Sequence, residues 1–336
     1  HMKTVPTQAA VGMPLAHDLT QIIPGQYKGA RFRKGHVVTE EDVPVLLSMG
    51  KENLYVLELG ADDVHEDEAG QRIAQAAAGV NIQLKAKGEG KVELLAACKG
   101  VVRVNSDKLH SLIEDDAVMF ATIHGNQVVE KGQLLAGTRV IPLYVPENTV
   151  QRAERIQDVV YVEEMRKARV GIVTTGSEIY HGRITDKFGD ILRRKFAALN
   201  CEVIGQVIAD DDETMIAEGI HQMIAQGADF IAVTGGMSVD PDDRTPAGIR
   251  KAGVEIVTYG APVLPGAMFL LGYWKDVPVV GLPGCVMYHN ASVFELVVPR
   301  LLAGEKMDRQ AIKQFAEGGL CRGCETCTYP NCAFGK

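Results

Sequence analysis

The spacing of hydrophobic positions changes along this chain. From Arg169 onward, short apolar runs alternate with stretches of helical period. Arg169 to Thr174 is a β-branched run closing on Thr175-Gly176, and Glu202 to Val207 reads as a second strand. Phe230 to Thr234 is a third, ending at Gly235-Gly236, and Val277 to Leu282 a fourth, ending at Pro283-Gly284. Between them, Asp190 to Leu199 and Asp212 to Gln226 predict helices, the second with Ile216, Ile220, Met223 and Ile224 on one face. Val286 to Leu302 predicts a final helix. Alternating strands and helices predict an α/β domain over 166–304, a mostly parallel sheet in three layers with helices on both faces.

The first half of the chain has a different texture. Residues 2–62 hold short apolar runs between turn signals such as Ile22-Ile23-Pro24-Gly25, and Thr39 with Asp42 three positions later marks a helix start before Val43. Residues 63–165 predict a small α+β or β-rich domain. Its helix runs from His65 to Ala78, its strands cover Lys91–Ala97, Val101–Val104, Ala117–Ile123 and Leu134–Leu143, and Asn105 caps a short helix. A cysteine-rich tail occupies 305–336. His1 before Met2 has the look of a cleaved-tag remnant and is left out of the fold.

Composition narrows the function classes. With 46% hydrophobic and 23% charged residues, the chain is globular. No stretch approaches the roughly 18 apolar residues of a membrane span, and Met2 to Pro6 has no apolar signal core, so the expected location is cytoplasmic, away from membranes. A net charge of −8 argues against nucleic acid as a partner, while leaving room for a small anionic ligand at a local site.

The candidate chemistry lies in the turns that follow the strands. In an open parallel sheet, Thr175-Gly176-Ser177-Glu178, Gly235-Gly236-Met237-Ser238 and Pro283-Gly284-Cys285 crowd one edge, where ligands bind. Glycine lets a ligand approach the backbone and bares N–H groups suited to phosphate. Two acidic segments belong near the same edge, Asp186-Lys187-Phe188-Gly189-Asp190 and Asp240-Pro241-Asp242-Asp243-Arg244-Thr245. Carboxylates beside a phosphate hold Mg²⁺ or catalyse; the alternative is that Asp190 and Asp243 cap helices.

These pieces, with Asp210-Asp211 and Pro265-Gly266 in order between them, resemble the molybdopterin-binding domain of molybdopterin molybdotransferases and molybdopterin adenylyltransferases. The likeness covers 168–304. It implies that Asp243 and Asp186 are catalytic, managing metal and phosphate. It implies that Thr175, Gly176, Ser177, Glu178, Gly189, Gly235, Gly236, Ser238, Thr245, Pro283 and Gly284 bind the cofactor. The ligand implied is molybdopterin or adenylated molybdopterin with Mg²⁺, the activity that of a molybdotransferase placing molybdate on the dithiolene with loss of the adenylate, and the assembly a homo-oligomer. One departure bears on activity. Where molybdotransferases carry a Lys-Pro-Gly-Lys-Pro type stretch, suited to an oxyanion, this chain has Leu264-Pro265-Gly266-Ala267-Met268. That departure favours an alternative, a non-catalytic carrier or sensor that delivers the cofactor to a molybdoenzyme.

Four of the seven cysteines, Cys321, Cys324, Cys327 and Cys332, fall within twelve residues. Such spacing suits an iron–sulfur cluster, and four thiolates equally suit tetrahedral zinc; the remaining option is a flexible, redox-active thiol tail. Cys285 stands apart at the third glycine turn, either a thiolate near a helix N-terminus or a small buried filler.

Overall fold

The computed structural model describes residues 2–238, 240 and 243–336, so Pro241 and Asp242 of the second acidic segment lie outside the described residues. The chain forms two compact units, one of residues 1–97, 104–123 and 132–161, the other of 98–103, 124–131 and 162–336.

In the first unit, Met2–Pro6 pairs antiparallel with Asn53–Leu57, and Leu19–Ile23 with Tyr27–Phe32 forms a hairpin. Leu15, Phe32, Val38, Leu46, Leu54 and Val56 fill a small core. The helix Asp42–Ser48 starts where Thr39 and Asp42 bond reciprocally, each side chain accepting from the other's backbone N–H. Farther along, Ile82–Gly88, Lys91–Ala96, Leu134–Val140 and Val118–Thr122 make a four-stranded antiparallel sheet in that order. The helix Glu66–Ala77 lies against it, and its Arg72 binds both Glu147 and Glu154 of the helix Glu147–Glu154.

The second unit is built on a six-stranded sheet. Its elements are β1 (Arg169–Thr175), α1 (Phe188–Ala198), β2 (Glu202–Ala209), α2 (Glu213–Ala225), β3 (Phe230–Thr234), α3 (Thr245–Lys251), β4 (Glu255–Tyr259), β5 (Leu270–Trp274), β6 (Val277–Leu282) and α4 (Val293–Leu302). The order across the sheet is β2-β1-β3-β6-β5-β4. The first four strands are parallel; β5 is added antiparallel to β6 at one side, and β4 antiparallel to β5.

Alternation along each strand explains the layers. Val170, Ile172, Phe230, Ala232, Val280 and Leu282 face one side, where Leu192 and Phe196 of α1 meet Phe294 and Val297 of α4. Val173, Ile231, Val233 and Val279 face the other, against Ile216, Ile220 and Met223 of α2 and Ile249 of α3. Successive strand residues point to opposite faces, so two buried faces need an almost unbroken apolar run. Phe196 anchors the first face, edge-on to Phe230 at 5.6 Å and to Phe294 at 5.2 Å between ring centroids. The three-layer α/β arrangement is the one the sequence predicts.

Three details differ. The pair β4 and β5 was not expected; β5 lies in the apolar stretch Pro262 to Trp274, whose Gly and Pro residues obscure its period. The final helix begins at Val293 rather than Val286. Residues Gly284–Met287 form a short 3₁₀ turn, and Ser292 with Glu295 makes a capping box that sets the true start. The segment after 304 is not a loose tail. Met307, Ile312, Phe315 and Phe334 are buried in the core beneath α1 and α4. Among the described residues, no helix is long and apolar enough to cross a membrane.

Candidate functional site

Parallel register brings the strand ends together. Thr174 of β1 pairs with Thr234 of β3, and Thr234 with Leu282 of β6, so the turns at Gly176, Gly235-Gly236 and Gly284 emerge side by side. All four glycines are half-exposed. Gly176 adopts φ 140°, and a side chain there would project into open space. Gly235 is different. Its φ is 84°, and an added Cβ would lie 2.2 Å from the Thr175 carbonyl oxygen, so the turn packs against β1 by virtue of being glycine.

Behind these turns lies a closed polar lock. The Thr245 hydroxyl donates to the Gly235 carbonyl at 2.7 Å and shares a hydrogen bond with the Thr175 hydroxyl at 2.9 Å. Both threonines are buried. They shape the Gly-Gly turn from inside rather than facing a ligand. Gly189 is buried as well, with Asp186 and Gln206 packed where its side chain would be, and Pro283 is buried at the end of β6.

The two predicted catalytic carboxylates have different settings. Asp186 caps α1: it accepts from the Phe188 N–H at 3.0 Å and the Gly189 N–H at 3.2 Å. Gln206 donates to it at 2.7 Å and to the Thr174 hydroxyl at 2.9 Å. The helix-capping role considered for Asp190 therefore belongs to Asp186. Among the described residues, Asp243 makes no bond to the first turn of α3, whose N-cap residue is Arg244. Asp243 is half-exposed, bonds the exposed Ser238 hydroxyl, and closes a turn through its N–H to the Asp240 carbonyl. Beside it, the Tyr259 phenol donates to the Met237 carbonyl at 2.8 Å. Burial, with the Asp243 charge adding to it, pushes this phenol up, so it stays a neutral donor.

At the first turn, the Ser177 N–H is bonded by Asp211 at 3.1 Å, and Glu178 is exposed. His181 pairs with Asp210 at 3.2 Å. At the third turn, Cys285 is half-buried, and burial raises its thiol above the ordinary range despite backbone hydrogen bonds. That favours a neutral filler over a reactive thiolate. Gln206 and Tyr259 were missed by the sequence reading. Gln206 carried a signal, a lone amide inside an otherwise apolar strand; Tyr259 carried none.

Among the described residues, the edge can therefore offer backbone N–H groups at the second and third turns, the exposed Glu178 and Ser238 side chains, and the Asp243 carboxylate. Among the described residues, no three His, Cys, Asp or Glu side chains surround one point closely enough to hold a metal ion. Mg²⁺ does not require such a cage, since it binds through one or two carboxylates plus substrate phosphates and water.

Comparison with known proteins gives this half of the chain a class. Residues 171–303 match the family described as a probable molybdopterin binding domain. Residues 4–58 match a domain of unknown function. Among curated relatives, the molybdopterin molybdenumtransferase of Haemophilus influenzae is 28% identical over 150 residues, 42% of this chain and 37% of that protein. A CinA-like protein of Syntrophus aciditrophicus is 33% identical over 84 residues, 25% of this chain and 20% of that protein. The chain thus spans well under half the length of either. Among solved structures, the molybdopterin biosynthesis enzyme MoaB of Thermus thermophilus is 22% identical, with a TM-score of 0.34, over 41% of this chain and 98% of that one.

Proposed function

We propose that the sheet domain binds molybdopterin or its adenylate at the carboxyl ends of β1, β3 and β6, and acts as a cytoplasmic molybdotransferase in molybdenum cofactor biosynthesis. The observation that carries this reading is the convergence of three glycine turns in register beside Asp243. N–H groups at Gly235, Gly236 and Gly284 suit the phosphate and the pterin ring, with Gly176, Ser177, Glu178 and Ser238 at their rim. The buried Thr175–Thr245–Gly235 chain holds the second turn in the shape that presents them. Asp243 would hold Mg²⁺, which neutralises phosphate charge, and Ser238 orients that carboxylate. Asp186 acts through position, fixing the start of α1.

The test is AMP release from adenylated molybdopterin in the presence of molybdate and Mg²⁺. Release by the native chain, lost in Asp243→Asn, is expected. Release no faster than in that variant would end the molybdotransferase reading.

One observation favours a second reading, a carrier that hands the cofactor to a molybdoenzyme. The segment Leu264-Pro265-Gly266-Ala267-Met268 has no basic side chain to hold molybdate. Its backbone is also engaged elsewhere, Leu264 with Gly319 and Cys321, and Pro265 with Val293. A carrier binds the pterin and releases no AMP.

A further inference from the structure

The four clustered cysteines are gathered around one space. The segment carrying them is clamped to the sheet domain at both ends. Leu264 bonds Gly319 and Cys321 through its backbone at 2.8 Å each, and Gly335 returns to Gly318 at 2.8 Å. Phe334 is buried in the core, and the Tyr329 hydroxyl donates to the Glu295 carbonyl of α4 at 3.4 Å. Between these anchors, Cys321, Cys324, Cys327 and Cys332 all line one cavity of about 250 Å³, with Tyr288 and Arg322 also in its wall. None of the four is in a disulfide. Cys321 and Cys332 are half-buried against the core, whereas Cys324 and Cys327 are exposed.

We propose that this cavity is the binding site of a cubane iron–sulfur cluster, with one thiolate on each iron. The size of the cavity favours a cluster over zinc. A single zinc ion needs all four sulfurs about 2.3 Å from one point. Here all four cysteines line a cavity of about 250 Å³, more room than a single ion needs, and among the described residues no three converge as ligands of one ion. In a cubane each thiolate binds a different iron, so the sulfurs stay apart around the cluster they enclose. Arg322 offsets the negative charge that four thiolates and the cluster bring together.

The cavity also lies near the third glycine turn. Tyr288 in its wall is edge-on to Phe188 at 6.0 Å between centroids, and Phe188 lies 3.6 Å from where a side chain at Gly284 would begin. One aromatic pair therefore separates the cluster site from the strand edge. The cluster assignment does not depend on what binds at that edge.

The test is anaerobic purification of the full chain, reconstituted with ferrous iron and sulfide. About four irons and four acid-labile sulfides per chain are expected, with an electron paramagnetic resonance signal after dithionite reduction. Cys324→Ser, an exposed site, should lower bound iron about fivefold or more while the domain stays folded by Trp274 fluorescence; Cys98→Ser, outside the cavity, should keep it. One tightly bound zinc without sulfide would overturn the assignment. So would iron uptake unchanged in Cys324→Ser, or neither metal bound.

Discussion

Replacing Thr245 with valine keeps the shape of a side chain that is 0% exposed and deletes its hydroxyl. That hydroxyl is the middle of a directional chain. Because it donates to the Gly235 carbonyl, the Thr175 hydroxyl must be the donor to it. Valine breaks both bonds and strands the two end groups where water cannot reach, Thr175 being 2% exposed. Each bond contributes about 1 kcal/mol net, and a buried group left unpaired costs about 1–3 kcal/mol, so Thr245→Val should destabilise the domain by about 2–4 kcal/mol. Thr175→Val loses only the donor end, about 1 kcal/mol. The double variant no longer strands the Thr175 hydroxyl, so it should cost less than the sum of the two. The chain has a single tryptophan, and Trp274 sits in β5, so urea unfolding followed by its fluorescence reads this domain alone. A Thr245→Val cost below about 0.5 kcal/mol, or strict additivity in the double variant, would refute the lock.

Other substitutions separate fold from ligand. Gly235→Ala must hold a side chain at φ 84° and 2.2 Å from a carbonyl oxygen, and should cost about 2–4 kcal/mol in urea unfolding. Gly284→Ala meets Phe188 at an ordinary 3.6 Å and should stay within about 0.5 kcal/mol of the native chain. Asp186→Ala removes the cap of α1 and should lower stability by about 0.5–2 kcal/mol, whatever its effect on activity. Glu305 has a carboxyl that burial would raise, but bonds from the buried Arg300 and the charge of Arg103 hold it below the usual glutamate range. A depressed carboxylate stabilises the fold fully above its unfolded pKa, and that stabilisation is lost as pH falls through the folded value. Glu305→Gln should therefore be clearly less stable than the native chain at neutral pH, with the gap closing under acid in a pH series of urea midpoints.

Strand-forming runs were legible because burial on two faces leaves almost no polar residue in β1, β3 and β6, and each run stops at a glycine. Single elements that depend on pairing from outside were not. Strand β5 owes its existence to β6 beside it and β4 to β5, and the start of α4 depends on the local bonds between Ser292 and Glu295. At the candidate site, residue types were readable and their directions were not. Thr175, Gly189 and Thr245 carry the resemblance, yet all three side-chain positions are turned inward, where they shape the turns. Asp186 and Asp243 look alike in sequence, and only the hydrogen bonds distinguish a helix cap from an available carboxylate. The cysteine spacing announced a site, but only the fold brought all four around a single cavity.

Binding of a pterin at the edge made by the three turns is tested most directly by an anaerobic titration with molybdopterin. The native chain should bind saturably, while Gly284→Leu, which adds a branched side chain at the third turn in ordinary contact with Phe188, should bind about tenfold or more weakly with its Trp274 unfolding midpoint little changed. Absence of binding by the native chain, or equal binding by the folded variant, would contradict it.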